Sequence, residues 1–421
     1  MKKIFSTLFI FMGILGAQAQ DALTLIAENP DRAANNLHSY EFVEVSDTPA
    51  PEGFVPFYIS HYGRHGSRYE LNTKFSKAAI AGLRAADSLG LLSDMGRQFQ
   101  ADVIAITKAH EEMEGMLTPR GGREHRTIAA RMAGRFQQVF ASPDRREVSA
   151  VSSTVPRCLM SMANFTLSLK EKMPDVDINF TTGEKYMSYI APSIPYPHHI
   201  EGLWDEAVYE EYDFSRFMGQ LFTDTTKIRE IIPNPEEFVH SAYSTSQICQ
   251  DLDFLGLDMM RKYFTPEELV SLWATGNDNI YLMWAGSKEY GSEVKDRIKP
   301  LVRDIIEKAD AAIEGNSHRA ADLRFGHDTG MLPLFALLGV DTPNGESYRF
   351  FNAHKNGWYS FRQIPMATNV QFVFYRDSDG TTIVKMLYNE KETMIPGIRP
   401  YAGPYYLWND VKSWFGALCK N

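Results

Sequence analysis

The sequence predicts an α/β fold: a central mixed sheet flanked by helices, with an α-helical cap inserted into the chain. Three observations carry this. A strand–turn–helix pattern returns three times, near residues 54, 147 and 321, each a β-prone run, a polar or glycine-bearing turn and a helical run. Two β-rich runs, Val370 to Tyr375 and Thr382 to Tyr388, close the chain around Asp377-Ser378-Asp379-Gly380, a hairpin signal. From about residue 181 to 310, aromatic, proline and acidic residues rise and the periodicity is helical. The expected organisation is a signal peptide over 1–19, an α/β core over 20–185 and 311–421, and a helical cap over 186–310.

The first segment reads as an export signal. Lys2 and Lys3 precede an apolar run from Ile4 to Leu15, and Ala17-Gln18-Ala19 is a small-x-small cleavage site. The run is too short to span a bilayer, and no later segment is long and apolar enough to do so. No cysteine follows the cleavage site, which argues against a lipid anchor there. The mature chain is expected to start near Gln20 and to be exported, to the periplasm or beyond in a Gram-negative host.

Composition excludes several classes. With 421 residues, 44% hydrophobic, the chain can bury a large core in two lobes. A net charge of −10 argues against a nucleic-acid or anionic-membrane partner, although local arginines can still set the field of a pocket for a small anion. Three cysteines, Cys158, Cys249 and Cys419, permit at most one disulfide. No CxxC or HExxH pattern occurs, so the usual zinc signatures are missing and no metal or other cofactor is expected.

Taken in order, residues 21 to 53 form an N-terminal arm with a proline-rich end. Phe54 to Ser60 reads as a buried strand. It runs into His61-Tyr62-Gly63-Arg64-His65-Gly66-Ser67-Arg68-Tyr69, a glycine-bearing turn before a helix from about Phe75 to Leu89. Ligands bind at such strand ends in open α/β sheets. Two guanidiniums beside one imidazole suit a tetrahedral dianion, with the imidazole placed to attack phosphorus. A basic surface turn is the plainer reading of this stretch alone.

Leu117-Thr118-Pro119-Arg120-Gly121-Gly122 launches a long helix whose buried face is Ile128, Met132, Phe136 and Val139. Most arginines at 123, 126, 131 and 135 read as a solvated face. Glu147 to Ser152 is a short strand. The following turn places Arg157 as a cation at a second strand-to-helix edge, and Cys158 beside it reads as a packed side chain. In the cap, helices are expected around Asp213 to Leu221, Pro235 to Asp251, Thr265 to Thr275 and Gly291 to Ala312. His198-His199 reads as a loop pair rather than metal ligands. Ala321 to Gly330 repeats the strand–turn–helix form and brings His327 and Asp328 to a third edge. There Asp328 also suits a helix N-cap, and His327 a packed core histidine.

Arg64-His65-Gly66-x-Arg68 with the distant His327-Asp328 resembles the histidine acid phosphatases, the two-domain branch of the histidine phosphatase superfamily. Leu117-Thr118-Pro119-x-Gly121 resembles that family's LTPxG segment, and Arg157 its additional phosphate-binding arginine. Within the family the chain is most similar to the multiple inositol polyphosphate phosphatases and phytases. That likeness rests on Ser152-Ser153, Arg157-Cys158, Phe325-Gly326-His327 leading into Leu332-Pro333-Leu334, and Asn389-Glu390. It spans roughly residues 54 to 390. Two features depart from it. Tyr69-Glu70 stands where the family usually has a proline, and His327-Asp328-Thr329 stands where the inositol polyphosphate group has His-Ala-Glu. The resemblance implies a histidine phosphatase-like fold and hydrolysis of phosphomonoesters without a cofactor. It implies His65 as nucleophile, Arg64, Arg68, Arg157 and His327 as phosphate ligands, and Asp328 as proton donor. The implied partner is a small phosphorylated substrate such as an inositol phosphate. Three other classes remain to be weighed: a phosphohistidine mutase, set against by the export signal; a non-catalytic envelope binding protein, set against by the joint presence of His65 and Asp328; and a metal-dependent hydrolase.

Overall fold

The computed structural model describes residues 21–193, 213–340, 343 and 345–420. The expected leader, residues 1–19, and His198-His199 lie outside these residues. Strand β1 (Val55–Arg64) is central because its last seven residues are buried on both faces and hydrogen-bonded on both sides. The others are β2 (Glu147–Ser152), β3 (Asp177–Thr182), β4 (Arg319–Gly326), β5 (Asn369–Arg376), β6 (Thr382–Tyr388), β7 (Lys391–Thr393) and β8 (Tyr405–Leu407). The sheet order is β3-β2-β4-β1-β5-β6-β7, with β8 also on β6. Strands β3, β2, β4 and β1 are parallel, and β5 to β8 join antiparallel, so the sheet is mixed as expected.

Most expected elements are present: helices Lys74–Ser88, Pro119–Arg135, Pro156–Lys172, Ser215–Leu221, Pro235–Gln247, Pro266–Trp284 and Gly291–Ile313. The closing hairpin turns at Gly380, φ 86°, with the Asp377 carboxylate accepting from the Asp379 and Thr381 amides. Two differences have simple causes. The strand expected to stop at Ser60 continues to Arg64, because Gly63 pairs with Asn369 and Arg64 with Gly326. Half of the cationic motif is therefore strand, and the turn begins at His65. β3 gave no sequence signal, because an edge strand with most side chains exposed needs no apolar alternation.

Alternation along the strands separates two cores. Tyr58, Tyr62, Phe372 and Phe374 face the helices Gly291–Ile313, Asp328–Leu338 and Trp408–Leu418. Ile59, Val373 and Leu323 face the helices Pro119–Arg135 and Pro156–Lys172. A third cluster is helical. It joins Phe217, Phe238 and Trp273, which lie between β3 and β4 in the chain, to Leu83, Phe99 and Ile106, which precede β2. The N-terminal arm contributes Leu25, Ile26 and Ala33 to this cluster. No helix among the described residues is long and apolar enough to cross a membrane.

Candidate active site

The site is built where β1, β2 and β4 end together, since the register sets Arg64 beside Gly326 and Ser152 beside Phe325. The turn after β1 is clamped against the start of the helix Pro119–Arg135. Ser67 O accepts from Thr118 N at 2.9 Å and from Thr118 Oγ1 at 3.0 Å. The approach is so close that a Cβ on Gly121 would sit 2.2 Å from Ser67 O, and one on Gly66 would sit 2.6 Å from Gly121 O. Glycine is required at both places by space rather than by dihedral angle. Glu124, on the same helix, accepts from Ser67 N and Ser67 Oγ, each at 2.8 Å, and from Tyr40 N at 3.1 Å.

Arg64 is fully buried. Its Nη1 donates to Asn36 O at 2.6 Å and Ile364 O at 2.7 Å, and its Nη2 donates to Asp328 Oδ2 at 2.9 Å. Its Nε and the Nε of Arg157 are buried with no partner among the described residues. Arg68 is half-buried; its amide donates to Asp251 Oδ2 at 3.3 Å and its Nη1 to Tyr69 O at 2.9 Å. His65 Nδ1 lies 2.9 Å from Gly66 O. A carbonyl can only accept, so Nδ1 carries the hydrogen and a neutral ring keeps its lone pair on Nε2. Burial, then the charges of Arg64 and Arg157, hold His65 well below the ordinary histidine range, so the ring is neutral.

His327 faces His65 edge-on, with ring centroids 5.5 Å apart. It touches Ser153 Oγ at 3.1 Å through Nε2 and Arg157 Nη2 at 3.4 Å through Nδ1. Burial and Arg157 press its pKa down to about 4. Asp328 opens the helix Asp328–Leu338. Burial alone would raise its pKa, but Arg64, His327 and the Asn36 amide, 2.8 Å from Oδ2, bring it down to about 2. The free carboxyl is thus ionised. Cys158 is buried beside His327, 3.5 Å from Nε2, and burial pushes its thiol up to about 12, so it is a packed neutral group.

All the side chains named from the sequence, Arg64, His65, Arg68, Arg157, His327 and Asp328, meet at this one edge. Others were not anticipated. Glu124 extends the buried face of its helix one turn back from Ile128, a spacing that signals it. Ser153 belongs to the Ser152-Ser153 pair that carries the family likeness, though that likeness assigns it no role; Asn36 and Asp251 carry no local signal. Asp251 is fully buried and accepts from Ser39 Oγ at 2.9 Å; burial and the charge of Glu124 raise it to about 7. The expected solvated arginines divide. Arg131 and Arg135 reach back to pair with Glu390 and Asp47, whereas Arg123 and Arg126 stay exposed. No three His, Cys, Asp or Glu side chains gather as a metal site among the described residues. A cavity of about 1460 Å³ lies alongside, between the N-terminal arm, the helix Lys74–Ser88 and helices from between β3 and β4. Asn36 is on its wall, but the cationic cluster is not.

Such an arrangement can hold a tetrahedral anion between fixed donors, present a neutral imidazole to it and place a carboxyl at its side. Residues 198–389 match the model of the histidine phosphatase superfamily (branch 2). The chain is 24% identical to multiple inositol polyphosphate phosphatase 1 of Gallus gallus, over 93% of this chain and 88% of that one. It is also 24% identical to the Homo sapiens protein of the same name, over 78% and 73%. In structure it is similar to Bifidobacterium longum multiple inositol polyphosphate phosphatase, solved with inositol hexasulfate. That likeness has a TM-score of 0.75 at 21% identity, covering 92% of this chain and 98% of that one. It is also similar to the phytase of D. castellii, with a TM-score of 0.67 at 13% identity, covering 92% and 85%.

Proposed function

We propose that this chain, which carries a histidine phosphatase superfamily (branch 2) domain and is homologous to multiple inositol polyphosphate phosphatase, hydrolyses phosphate monoesters through a phosphohistidine. Its substrates are inositol polyphosphates of the phytate type or a broader set of phosphomonoesters. The leader-like residues 1–19 support export of the enzyme to the periplasm or medium.

The observation that carries this reading is a neutral His65 ringed by Arg64, Arg68 and Arg157, with Asp328 hydrogen-bonded to one of them. The phosphate is taken by the arginines and His327, which neutralise the equatorial oxygens as the transition state forms. His65 Nε2 attacks phosphorus in line. The P–N bond forms as the ester P–O bond breaks, and the leaving alkoxide takes a proton from Asp328. Water then attacks the phosphohistidine, gives its proton to the Asp328 carboxylate, and releases inorganic phosphate and the free imidazole. Asp328 begins ionised, so its proton must be held once substrate binds. A bound dianion shares the Arg64 charge with the carboxylate and adds negative charge beside it, and both effects raise the Asp328 pKa. Fixed guanidiniums do the electrostatic work that metal ions do in other phosphatases.

The test is phosphate release by the purified protein from phytate, sugar phosphates, nucleotides and p-nitrophenyl phosphate, with rapid quenching to trap a base-stable, acid-labile phosphoenzyme. Release together with a phosphohistidine mapped to His65 supports the reading. Absence of release from every ester overturns it.

A further inference from the structure

We infer that Asn36, in the N-terminal arm, is a positioning residue for Asp328 and controls proton delivery to the leaving group. This rests on the phosphatase reading above. Asn36 is 292 positions away from Asp328 in the chain, yet its side-chain amide donates to Oδ2 at 2.8 Å. An ionised carboxylate only accepts, so the amide NH2 must be the group that faces it. Oδ2 has a second donor, Arg64 Nη2 at 2.9 Å. Arg64 is thus asked to serve two anions. Once a phosphate shares it, Asn36 is the side-chain donor to Oδ2 among the described residues that lies outside the arginine cluster, while Oδ1 keeps the Thr329 amide at 3.0 Å.

The arm is built to hold Asn36 there. Asn35 has φ 56° and ψ −128°, a backbone region that favours glycine. Its conformation is imposed by buried partners. Asn35 Oδ1 accepts from Ser360 Oγ at 2.8 Å, and its amide lies against Gly276, where an added Cβ would be 2.7 Å away. The Asn36 carbonyl accepts from Arg64 Nη1 at 2.6 Å, and the next turn is tied by Met366 N to His38 O at 2.7 Å. Asn36 is half-exposed and forms part of the wall of the large cavity. It stands between the carboxyl that protonates the leaving oxygen and space that can take the alcohol portion of an ester.

The experiment compares wild type, Asn36→Ala and Asn36→Asp on glycerol phosphate and p-nitrophenyl phosphate across pH. Asn36→Ala removes the amide but keeps the carbonyl that accepts from Arg64, so the anchor of the arm survives. Turnover of glycerol phosphate is expected to fall about tenfold or more, part of what a positioned general acid contributes, while p-nitrophenyl phosphate, whose leaving group needs little protonation, falls clearly less. Loss of a donor to the anion lets the carboxyl hold its proton longer, so the alkaline limb for glycerol phosphate moves to higher pH. Asn36→Asp sets a second carboxylate against Oδ2 and is expected to move that limb further in the same direction. Equal losses on both esters, or an unmoved limb in both variants of an active protein, overturn this inference and leave the phosphatase reading standing. A wild type that releases phosphate from neither these esters nor phytate overturns both.

Discussion

On the proposed mechanism His65 and Asp328 are expected to fail differently when altered, because one would make a bond and the other would move a proton. His65→Ala removes Nε2, so turnover of every phosphomonoester and the trapped phosphoenzyme are both expected to disappear; a phosphoenzyme that persists would place the nucleophile elsewhere. Asp328→Asn keeps the shape and loses the proton. Glycerol phosphate and phytate have strongly basic leaving oxygens, so their turnover is expected to drop by about a hundredfold or more, with a clearly smaller loss on p-nitrophenyl phosphate. The same factor on both esters, with the fold intact, would remove Asp328 from the acid role. The pH profile follows from the same charges. The free carboxyl sits near 2 and rises only with a bound anion, so alkyl ester turnover is expected to be greatest at acidic to neutral pH and to fall on the alkaline side as that proton is lost.

At the scale of elements, the turn after β1 depends on what presses on it from elsewhere in the chain. Gly121→Ala would drive a methyl into Ser67 O, and both partners are backbone in a buried clamp. A stability loss of about 1–3 kcal/mol, the usual cost of overpacking, is expected, together with a raised KM, read by denaturant unfolding and steady-state kinetics. Asp251, from the 3-10 turn Cys249–Leu255, carries a pH signature of its own. Its folded pKa, about 7, lies above the ordinary 3.8, so the folded state binds the extra proton. Folding stability from this group is therefore full below about pH 4 and lost as pH rises through about 7. Relative to Asp251→Asn, the wild type is expected to lose stability over that window. Parallel curves for the two proteins would show that Asp251 does not titrate there.

For the whole molecule, the helical cluster and the sheet edge are expected to divide the labour. The cavity beside the site is lined by Lys74, Arg229 and His240 among others, while the charged cluster belongs to the strand ends. Substitutions at cavity residues between β3 and β4, such as Arg229 and His240, are expected to change the ratio of phytate to p-nitrophenyl phosphate turnover several-fold more than they change p-nitrophenyl phosphate turnover itself. Uniform losses across substrates by folded variants would contradict this. Turnover is also expected to survive exhaustive chelation, since the arginines supply the positive charge; a loss restored by a divalent ion would contradict that.

The strand–turn–helix units near 54, 147 and 321 were readable because each strand and each helix buries apolar side chains, and burial writes itself into sequence as periodicity. The gathering of Arg64, His65, Arg68, Arg157, His327 and Asp328 was readable because each stands at or just after the end of a predicted strand, and the parallel strands of one sheet end along one edge. Tertiary structure alone decided the remainder. It carried β1 on to Arg64, because pairing to two neighbours, rather than local propensity, ends a central strand. It grouped Leu83 and Phe99 with Phe217 and Trp273, since apolar faces record that they are buried but not against what. It brought Asn36 to Asp328 and Asp251 to the Arg68 amide. A single hydrogen bond between residues far apart in the chain leaves no local pattern, because its meaning depends on where the backbone has already placed the partner.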